Sequence, residues 1–204
     1  GCGAGGQTLT LAANKRGKIT AIDLLPKMIA RVNDRMKQHG FSDRVSGITG
    51  SMAELPFKEN ELDLIWAEGS IYNIGYERGL NEWKKFLKPG GIIAVSEASW
   101  FTPTRPEEID RFWTFHYSEI DLISTKVKQM EQAGYTPAAH FVLPENCWTE
   151  NFFRPAQEHA ESFLQKYKYS DDAKTFVTGQ LNESNLYQRY KSYYGYVFYI
   201  GIKN

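Results

Sequence analysis

The sequence has few cysteines, no long apolar run and no excess charge of either sign. Its two cysteines, Cys2 and Cys147, are too few for a disulfide framework, and a reducing cytoplasm is the simplest location for the chain. No apolar stretch approaches the ~18 residues that a membrane-spanning helix needs. Lys and Arg together number 24, as do Asp and Glu, so the net charge is zero. Nucleic acid is therefore not expected as the main partner, because phosphate binding needs a basic excess or stripe.

Cysteine and histidine are also too sparse for a cluster with metal-ligand spacing, so no metal is expected. Aromatic residues are plentiful, with 12 Tyr, 12 Phe and 5 Trp, and they are concentrated after residue 100. Most of these rings are expected to fill core, but some could line a pocket for an organic molecule. The length of 204 residues suits one sizeable core, so a single domain is predicted.

The first six residues, Gly1 to Gly6, contain four glycines and precede a predicted helix over residues 7–13. Glycine lets the backbone turn tightly and approach a ligand, because it has no Cβ. The N-terminus of a helix adds free N–H groups and the positive end of the helix dipole, which suit a nucleotide-like ligand. Such a turn normally follows a buried strand, so we expect a missing first strand before Gly1. A flexible glycine turn at a frayed terminus is the alternative.

Asp23 ends the β-rich run from Lys18 to Asp23. It follows the glycines by about 20 residues, the spacing at which a carboxylate meets a ribose diol in nucleotide-binding folds. An ionised carboxylate only accepts hydrogen bonds, and the diol offers two donors. Asp23 could also cap the helix predicted from Leu25 to Gln38, in which Pro26 fits the first turn. The two roles are compatible.

Strands and helices alternate along the first hundred residues, which predicts a parallel sheet with right-handed crossovers. The further predicted elements are strands over 45–50, 62–68 and 92–97, a helix over 77–87 and a turn over 88–91. Loops at the carboxyl ends of parallel strands border the ligand crevice. Ser51 and Met52 could therefore contact an adenine, although Met52 could equally fill a gap in the core. Glu68 could meet a ligand ammonium or remain a surface carboxylate.

The pattern changes after residue 100, where aromatic helices replace the alternation. Helices are predicted over 107–117, 120–133, 155–167 and 171–190, and strands over 135–143 and 193–202. The helices between residues 144 and 190 form an insertion before the last strand. An insertion at this place would cover the crevice as a lid or pocket wall.

Four stretches in order carry a family resemblance: GCGAGG, ITAIDLLPKMI, GSMAELPF, and LDLIWAEG followed by FLKPGGIIAVSE. Together they resemble the class I S-adenosylmethionine-dependent methyltransferases, and more closely the small-molecule branch typified by the ubiquinone/menaquinone-biosynthesis methyltransferases. The chain departs from the family pattern at two places. Related proteins often carry Asp in place of Ser51, and the acid expected two residues before Gly1 is absent.

The resemblance implies an α/β fold: a Rossmann-like, doubly wound, mostly parallel sheet with an antiparallel last strand. Helices would cover both faces, with a helical insertion before the last strand. Within one domain, residues 1–100 would bind the cofactor, residues 101–192 would form the acceptor side, and residues 193–204 would form the final strand.

The resemblance also assigns roles toward S-adenosylmethionine. The glycine loop would approach the amino-acid part and the sugar of the cofactor. Asp23 would bind the ribose, and Leu24, Ser51 and Met52 would contact the adenine. Glu68 and Gly69 would lie near the methionine end. The loop residues concerned are Gly1, Cys2, Gly3 and Gly5.

On the acceptor side, Tyr72, Trp100 and Trp148 are predicted to wall a pocket for a small organic acceptor. A protic acceptor needs a general base, and the candidates are His116, Glu97 and Glu150. For His116, a partly buried helix histidine without catalytic function is the alternative. A homodimer is the candidate oligomeric state.

Two other functions fit part of the pattern. Gly1, Gly3 and Gly6 also satisfy the dinucleotide fingerprint, and Asp23 would suit a nicotinamide cofactor, so an oxidoreductase is the first alternative. A protein that binds S-adenosylmethionine without catalysis is the second, because no catalytic base is recognisable from the sequence.

Overall fold

The computed structural model describes residues 1–204, and helices and strands alternate through the first hundred except that no helix separates the strands over 45–49 and 62–67. The strands are β1 (Ile19–Asp23), β2 (Val45–Thr49), β3 (Leu62–Ala67), β4 (Leu87–Trp100), β5 (Asp121–Leu122), β6 (Tyr135–Val142) and β7 (Tyr194–Lys203). The helices are α1 (Gly6–Asn14), α2 (Pro26–Gln38), α3 (Tyr76–Trp83), α4 (Glu107–His116), α5 (Ile123–Gln132), α6 (Asn146–Trp148), α7 (Arg154–Lys166) and α8 (Asp171–Tyr190). Short 3₁₀ turns flank α3, and a π-helical turn over 149–153 joins α6 to α7.

The strands form an α/β fold with mostly parallel strands and an antiparallel last strand, as predicted. β1 and β2 pair in parallel, from Ile19 opposite Val45 to Asp23 opposite Thr49. The other five strands form a second sheet in the order β3-β4-β7-β6, with β5 paired to β4. The parallel register of β3 and β4 ends at Ala67 opposite Val95.

The predicted turn over residues 88–91 is wrong as a boundary, because β4 already begins at Leu87. Leu62 pairs with Leu87 and Leu64 with Ile92, so β4 carries extra residues between these two pairs. Gly90, at φ 74°, lies in this bulge and takes a backbone conformation that L side chains rarely adopt. Glycine and proline therefore mark an irregular strand start here and not a separate turn.

The predicted helix over residues 120–133 begins later than expected. Asp121 and Leu122 form β5, paired in parallel with Ser99 and Trp100, and the helix α5 starts at Ile123. Pairing with the end of β4 satisfies backbone groups that a helix would otherwise use, so tertiary context overrides the local pattern.

The helical insertion before the last strand is confirmed, since α6, α7 and α8 lie between β6 and β7. Pro155 is the second residue of α7 and follows directly on the π-helical turn over 149–153. The Ser170 side chain caps α8 by accepting a hydrogen bond from Ala173 N. No helix in the chain combines the length and the apolar character that a membrane crossing requires.

The chain groups into two compact units. Unit 1 comprises residues 1–97, 124–140 and 198–204, and unit 2 comprises residues 98–123 and 141–197. In unit 1, an aliphatic cluster joins α1 and α2 to the β1–β2 pair and contains Ala12, Ala21, Val32, Met36 and Val45. In unit 2, the core is largely aromatic and includes Trp100, Trp113, Trp148, Phe153, Tyr187 and Tyr194. The single-domain organisation and its three parts stay predictions from the sequence.

Gly5 makes the turn into α1 at φ 79°, where an added Cβ would lie 3.0 Å from Val32 Cγ2. We expect Gly5→Ala to lower the free energy of unfolding by about 1–3 kcal/mol, because alanine would be strained in this conformation. Gly6→Ala is the matched control, since an added Cβ there would meet only Arg35 Nη1, at 3.7 Å. Urea unfolding of both variants measures the difference, and equal stabilities would contradict the prediction.

Candidate functional site

The glycine loop connects directly to the end of β1. Cys2 N donates to Ile22 O at 2.9 Å, so the loop starts beside the last residues of that strand. Gly3 has φ 53°, and an added Cβ there would meet nothing within 4 Å. Gly5 precedes α1 and has no side chain to cap the first helical N–H groups. The loop therefore presents backbone beside open space at the start of a helix, an arrangement that suits an anionic or polar ligand.

Asp23 lies at the carboxyl end of β1 with 8% of its surface exposed. Its Oδ2 accepts from Gly3 N at 2.8 Å, and its Oδ1 accepts from Leu25 N at 3.0 Å. The carboxylate thus links the glycine loop to the chain entering α2. Each oxygen retains a second lone pair, so these bonds leave room for ligand hydroxyl groups. Leu24 follows with 68% of its surface exposed, as a side chain facing a ligand would be before binding.

Three stretches that are distant in sequence meet at Gly1. An added Cβ on Gly1 would lie 2.8 Å from Ser70 Cβ and 2.9 Å from Met52 Cε. The glycine loop, the loop after β2 and the loop after β3 therefore converge within unit 1. Only glycine permits this approach, because any side chain would displace one of its neighbours.

The loop after β2 is held by its own serine and by a distant tryptophan. Ser51 Oγ accepts from Ala53 N at 3.2 Å, which closes a local turn. Trp83 Nε1 donates to Met52 O at 2.9 Å, and Trp83 itself is 4% exposed. Trp83 is not among the site residues predicted from the sequence.

The loop after β3 is held in a similar way. Glu68 accepts from Trp66 Nε1 at 2.6 Å, so its carboxylate lies over the end of its own strand. Gly69 has φ 54°, and its N–H donates to Ser96 Oγ at 2.8 Å. Ser70 is buried, and its carbonyl accepts from Asn73 Nδ2 at 2.9 Å. Ser96 and Asn73 were also missed by the sequence reasoning.

Cys2 is half-buried in the glycine loop, and burial raises the pKa of its thiol. The thiol therefore stays protonated at neutral pH, which makes it a neutral wall of the loop and a poor nucleophile.

The three predicted acceptor-wall residues have different surroundings. Tyr72, in unit 1, is 44% exposed after β3. Trp100, in unit 2, is 2% exposed, and the Arg105 guanidinium lies 4.0 Å from its ring centroid. Trp148, also in unit 2, is 3% exposed and stacks with Tyr187 and Tyr196, with ring centroids 4.9 Å apart in both pairs. Trp100 and Trp148 thus pack into the aromatic core, and only Tyr72 presents substantial surface.

The candidate bases also differ in their surroundings. Glu97 is fully buried in unit 1, with its Oε1 3.7 Å from Lys126 Nζ. His116, in unit 2, is exposed at the end of α4, with its ring centroid 4.5 Å from that of Phe112. Glu150, in unit 2, is exposed and pairs with Arg154 one helical turn later. No group of three His, Cys, Asp or Glu side chains is placed to hold a metal ion.

The first half of the chain is similar in sequence to known proteins. Residues 1–91 match the family described as a methyltransferase domain. The demethylmenaquinone methyltransferase of Bacillus subtilis is 31% identical over 101 residues, which is 48% of this chain and 43% of that protein. The chain spans less than half the length of the curated relatives that it matches.

Solved structures show a likeness along the whole chain. An S-adenosylmethionine-dependent methyltransferase from Geobacter sulfurreducens, in complex with S-adenosyl-L-homocysteine, has a TM-score of 0.84 at 19% identity and covers 100% of this chain and 82% of its own. The [4+2]-cyclase SpnF has a TM-score of 0.79 at 22% identity and covers 100% of this chain and 72% of its own. At these identities the likeness shows the fold alone. The match of residues 1–91 to a methyltransferase domain and the demethylmenaquinone methyltransferase relative confirm, over that part of the chain, the predicted resemblance to the class I S-adenosylmethionine-dependent methyltransferases.

Proposed function

We propose that the protein transfers a methyl group from S-adenosylmethionine to a small organic acceptor. The observation that carries the proposal is the convergence of three loops around Gly1, beside Asp23. The residues present fit the cofactor. Gly3 leaves open space beside the loop, Asp23 keeps free lone pairs for a ribose diol, and the exposed Leu24 offers an apolar face for adenine.

In the proposed mechanism the chain binds and orients. Gly1, Cys2, Gly3 and Gly5 line the amino-acid part and the sugar of the cofactor, and Asp23 accepts hydrogen bonds from the ribose. Leu24, Ser51 and Met52 contact the adenine, while Glu68 and Gly69 flank the methionine end. The bound sulfonium supplies a methyl group that is already activated for transfer. The remaining task of the protein is to align the acceptor and exclude water, and proximity and orientation can supply most of the acceleration.

Tyr72, Trp100 and Trp148 are the proposed acceptor-side residues. Tyr72 is the predicted pocket residue that presents surface, and Trp100 and Trp148 would contribute by shaping the aromatic core of unit 2. If the acceptor is protic, His116 or Glu150 could take its proton from an exposed position, whereas Glu97 is enclosed. The Bacillus subtilis relative is named for demethylmenaquinone, which supports a small organic acceptor. A cytoplasmic location and a homodimer stay predictions.

Two alternatives remain testable. A nicotinamide-dependent oxidoreductase would use the same glycine loop and Asp23, but the family match favours methyl transfer. A protein that binds S-adenosylmethionine without transferring its methyl group is the second alternative. One solved neighbour is named as a [4+2]-cyclase, and a shared fold does not fix the reaction.

Calorimetric titration of the full chain with S-adenosylmethionine, S-adenosylhomocysteine and NADH tests the proposal. We expect the first two to bind with a stoichiometry near one and NADH to give no heat of binding. Binding of NADH alone would favour the oxidoreductase, and binding of none of the three would contradict a cofactor site in this chain. A panel of quinol, phenol and amine acceptors with methyl-labelled cofactor then separates an enzyme from a binding protein.

A further inference from the structure

Ser96 lies where β3 and β4 stop pairing. The last parallel pair joins Ala67 to Val95, and Gly69, two residues after the end of β3, has left the extended conformation with φ 54°. At this point the Gly69 N–H donates to the Ser96 hydroxyl at 2.8 Å, in place of a backbone carbonyl of β4. The side chain of Ser96 therefore continues the ladder by one hydrogen bond after the backbone ladder has ended.

We propose that Ser96 is a positioning residue, which sets the conformation of the loop after β3 for the cofactor. This inference rests on the proposed function. Ser96 is 2% exposed, so it acts through Gly69 and not by touching a ligand. Gly69 leads into Ser70, and Ser70 lies directly against Gly1 in the glycine loop. A shift of Gly69 thus changes the width of the space between the two loops.

The Gly69 N–H needs a hydrogen-bond acceptor at the position of the Ser96 hydroxyl. Alanine would leave the part-buried Gly69 N–H without its acceptor, and an unpaired buried donor is costly. The Gly69 turn would relax toward water or toward another acceptor, and Ser70 would move with it. The neighbouring Glu97 cannot replace Ser96, because successive side chains of a strand point to opposite faces.

The test compares Ser96→Ala, Ser96→Thr and the control Ser46→Ala. Ser46 is an exposed strand residue on β2 in the same unit. Calorimetry with S-adenosylhomocysteine should show about tenfold weaker binding for Ser96→Ala, the loss expected for one hydrogen bond in a partly buried site, with stoichiometry and far-UV circular dichroism unchanged. Ser96→Thr, which keeps the hydroxyl, should recover most of the affinity, and Ser46→Ala should bind like the parent.

Hydrogen exchange at the Gly69 amide gives a second readout that does not depend on any ligand. In Ser96→Ala this amide should exchange at least about tenfold faster than in the parent, and in Ser46→Ala it should be unchanged. Parent-like affinity or parent-like exchange in Ser96→Ala would overturn the positioning role. Failure of the parent protein to bind S-adenosylhomocysteine would instead overturn the proposed function.

Discussion

Replacing Asp23 by alanine should weaken the binding of S-adenosylhomocysteine by about 10- to 100-fold, because hydrogen bonds to a charged group contribute more than neutral ones. Two effects act together. The ribose diol loses its acceptor, and the Gly3 and Leu25 N–H groups lose the carboxylate that they share. The glycine loop is then no longer tied to the end of β1 through this side chain, so ligand contacts along the loop should weaken as well.

Matched variants separate the charge from the shape of the side chain. Asp23→Asn keeps one acceptor oxygen but turns an NH₂ group toward either Gly3 N or Leu25 N, where two donors would face each other. We expect an affinity between those of Asp23→Ala and the parent. Asp34→Ala removes an exposed carboxylate from α2 in the same unit and should bind within about twofold of the parent.

Calorimetry on folded protein is the measurement, with circular dichroism to verify that each variant keeps its helices. Asp23 is not the N-cap of α2, which is Leu25, but it accepts from Leu25 N, so a stability loss of about 1 kcal/mol is expected in Asp23→Ala. An affinity of folded Asp23→Ala within about twofold of the parent would contradict the ribose-binding role and leave only the structural one.

Local pattern was enough to predict the framework of the site. Glycines followed by a helix, and an acid at a strand end, are short-range features, and the structure brings Gly3 and Asp23 into a hydrogen bond of 2.8 Å. The alternation of strands and helices predicts the parallel pairing of β1 with β2 and of β3 with β4, and the loops after β2 and β3 both reach the glycine loop. Gly1, Met52 and Ser70 meet there.

The residues that hold these loops could not be predicted in the same way. Ser96 contacts Gly69 across 27 positions, and Trp83 contacts Met52 across 31. Serine at a strand end and tryptophan in an amphipathic helix are compatible with many partners. The hydrogen-bond partner of each residue depends on the strand register and on the position of the helix. Neither of these can be predicted from the local sequence.

On the acceptor side, local sequence also does not predict which aromatic residues line a pocket. Trp100 and Trp148 were predicted to wall a pocket, yet the structure packs both into the aromatic core of unit 2. A ring that lines a cavity and a ring that fills a core have the same composition and spacing. Only the neighbouring rings distinguish them, as the stacking of Trp148 with Tyr187 does here.

Substitution of Glu97 is expected to have the largest effect on the free energy of unfolding. Its side chain and that of Lys126 are both fully buried, with Oε1 and Nζ 3.7 Å apart. The Lys126 ammonium also lies 4.5 Å from the centroid of the Tyr76 ring, whose hydroxyl pKa is raised by burial and then by Tyr199 and Glu97. Tyr76 therefore stays neutral beside the pair. Glu97→Leu would leave the buried Lys126 ammonium without this carboxylate. Lys126→Met would leave the buried Glu97 carboxylate without this ammonium.

Each single variant should lose about 3–5 kcal/mol of unfolding free energy, because removing one member of a buried pair leaves an uncompensated charge. For a chain of this size, a loss of about 3 kcal/mol lowers the thermal midpoint by roughly 6–12 °C. The control is Lys88→Met, which breaks the exposed pair of Lys88 and Asp63 and should change stability by less than about 1 kcal/mol.

The double variant Glu97→Leu/Lys126→Met decides between a structural pair and a catalytic base. With both charges removed, an apolar pair of similar volume should recover most of the lost stability, since burying two charges is itself costly. If Glu97 only stabilises, methyl transfer should return along with the fold. If Glu97 takes a proton from the acceptor, the double variant should fold and remain inactive at all pH values. Single variants that lose less than about 1 kcal/mol in urea unfolding would show that Glu97 and Lys126 are not coupled charges, because only a solvated pair is that weak.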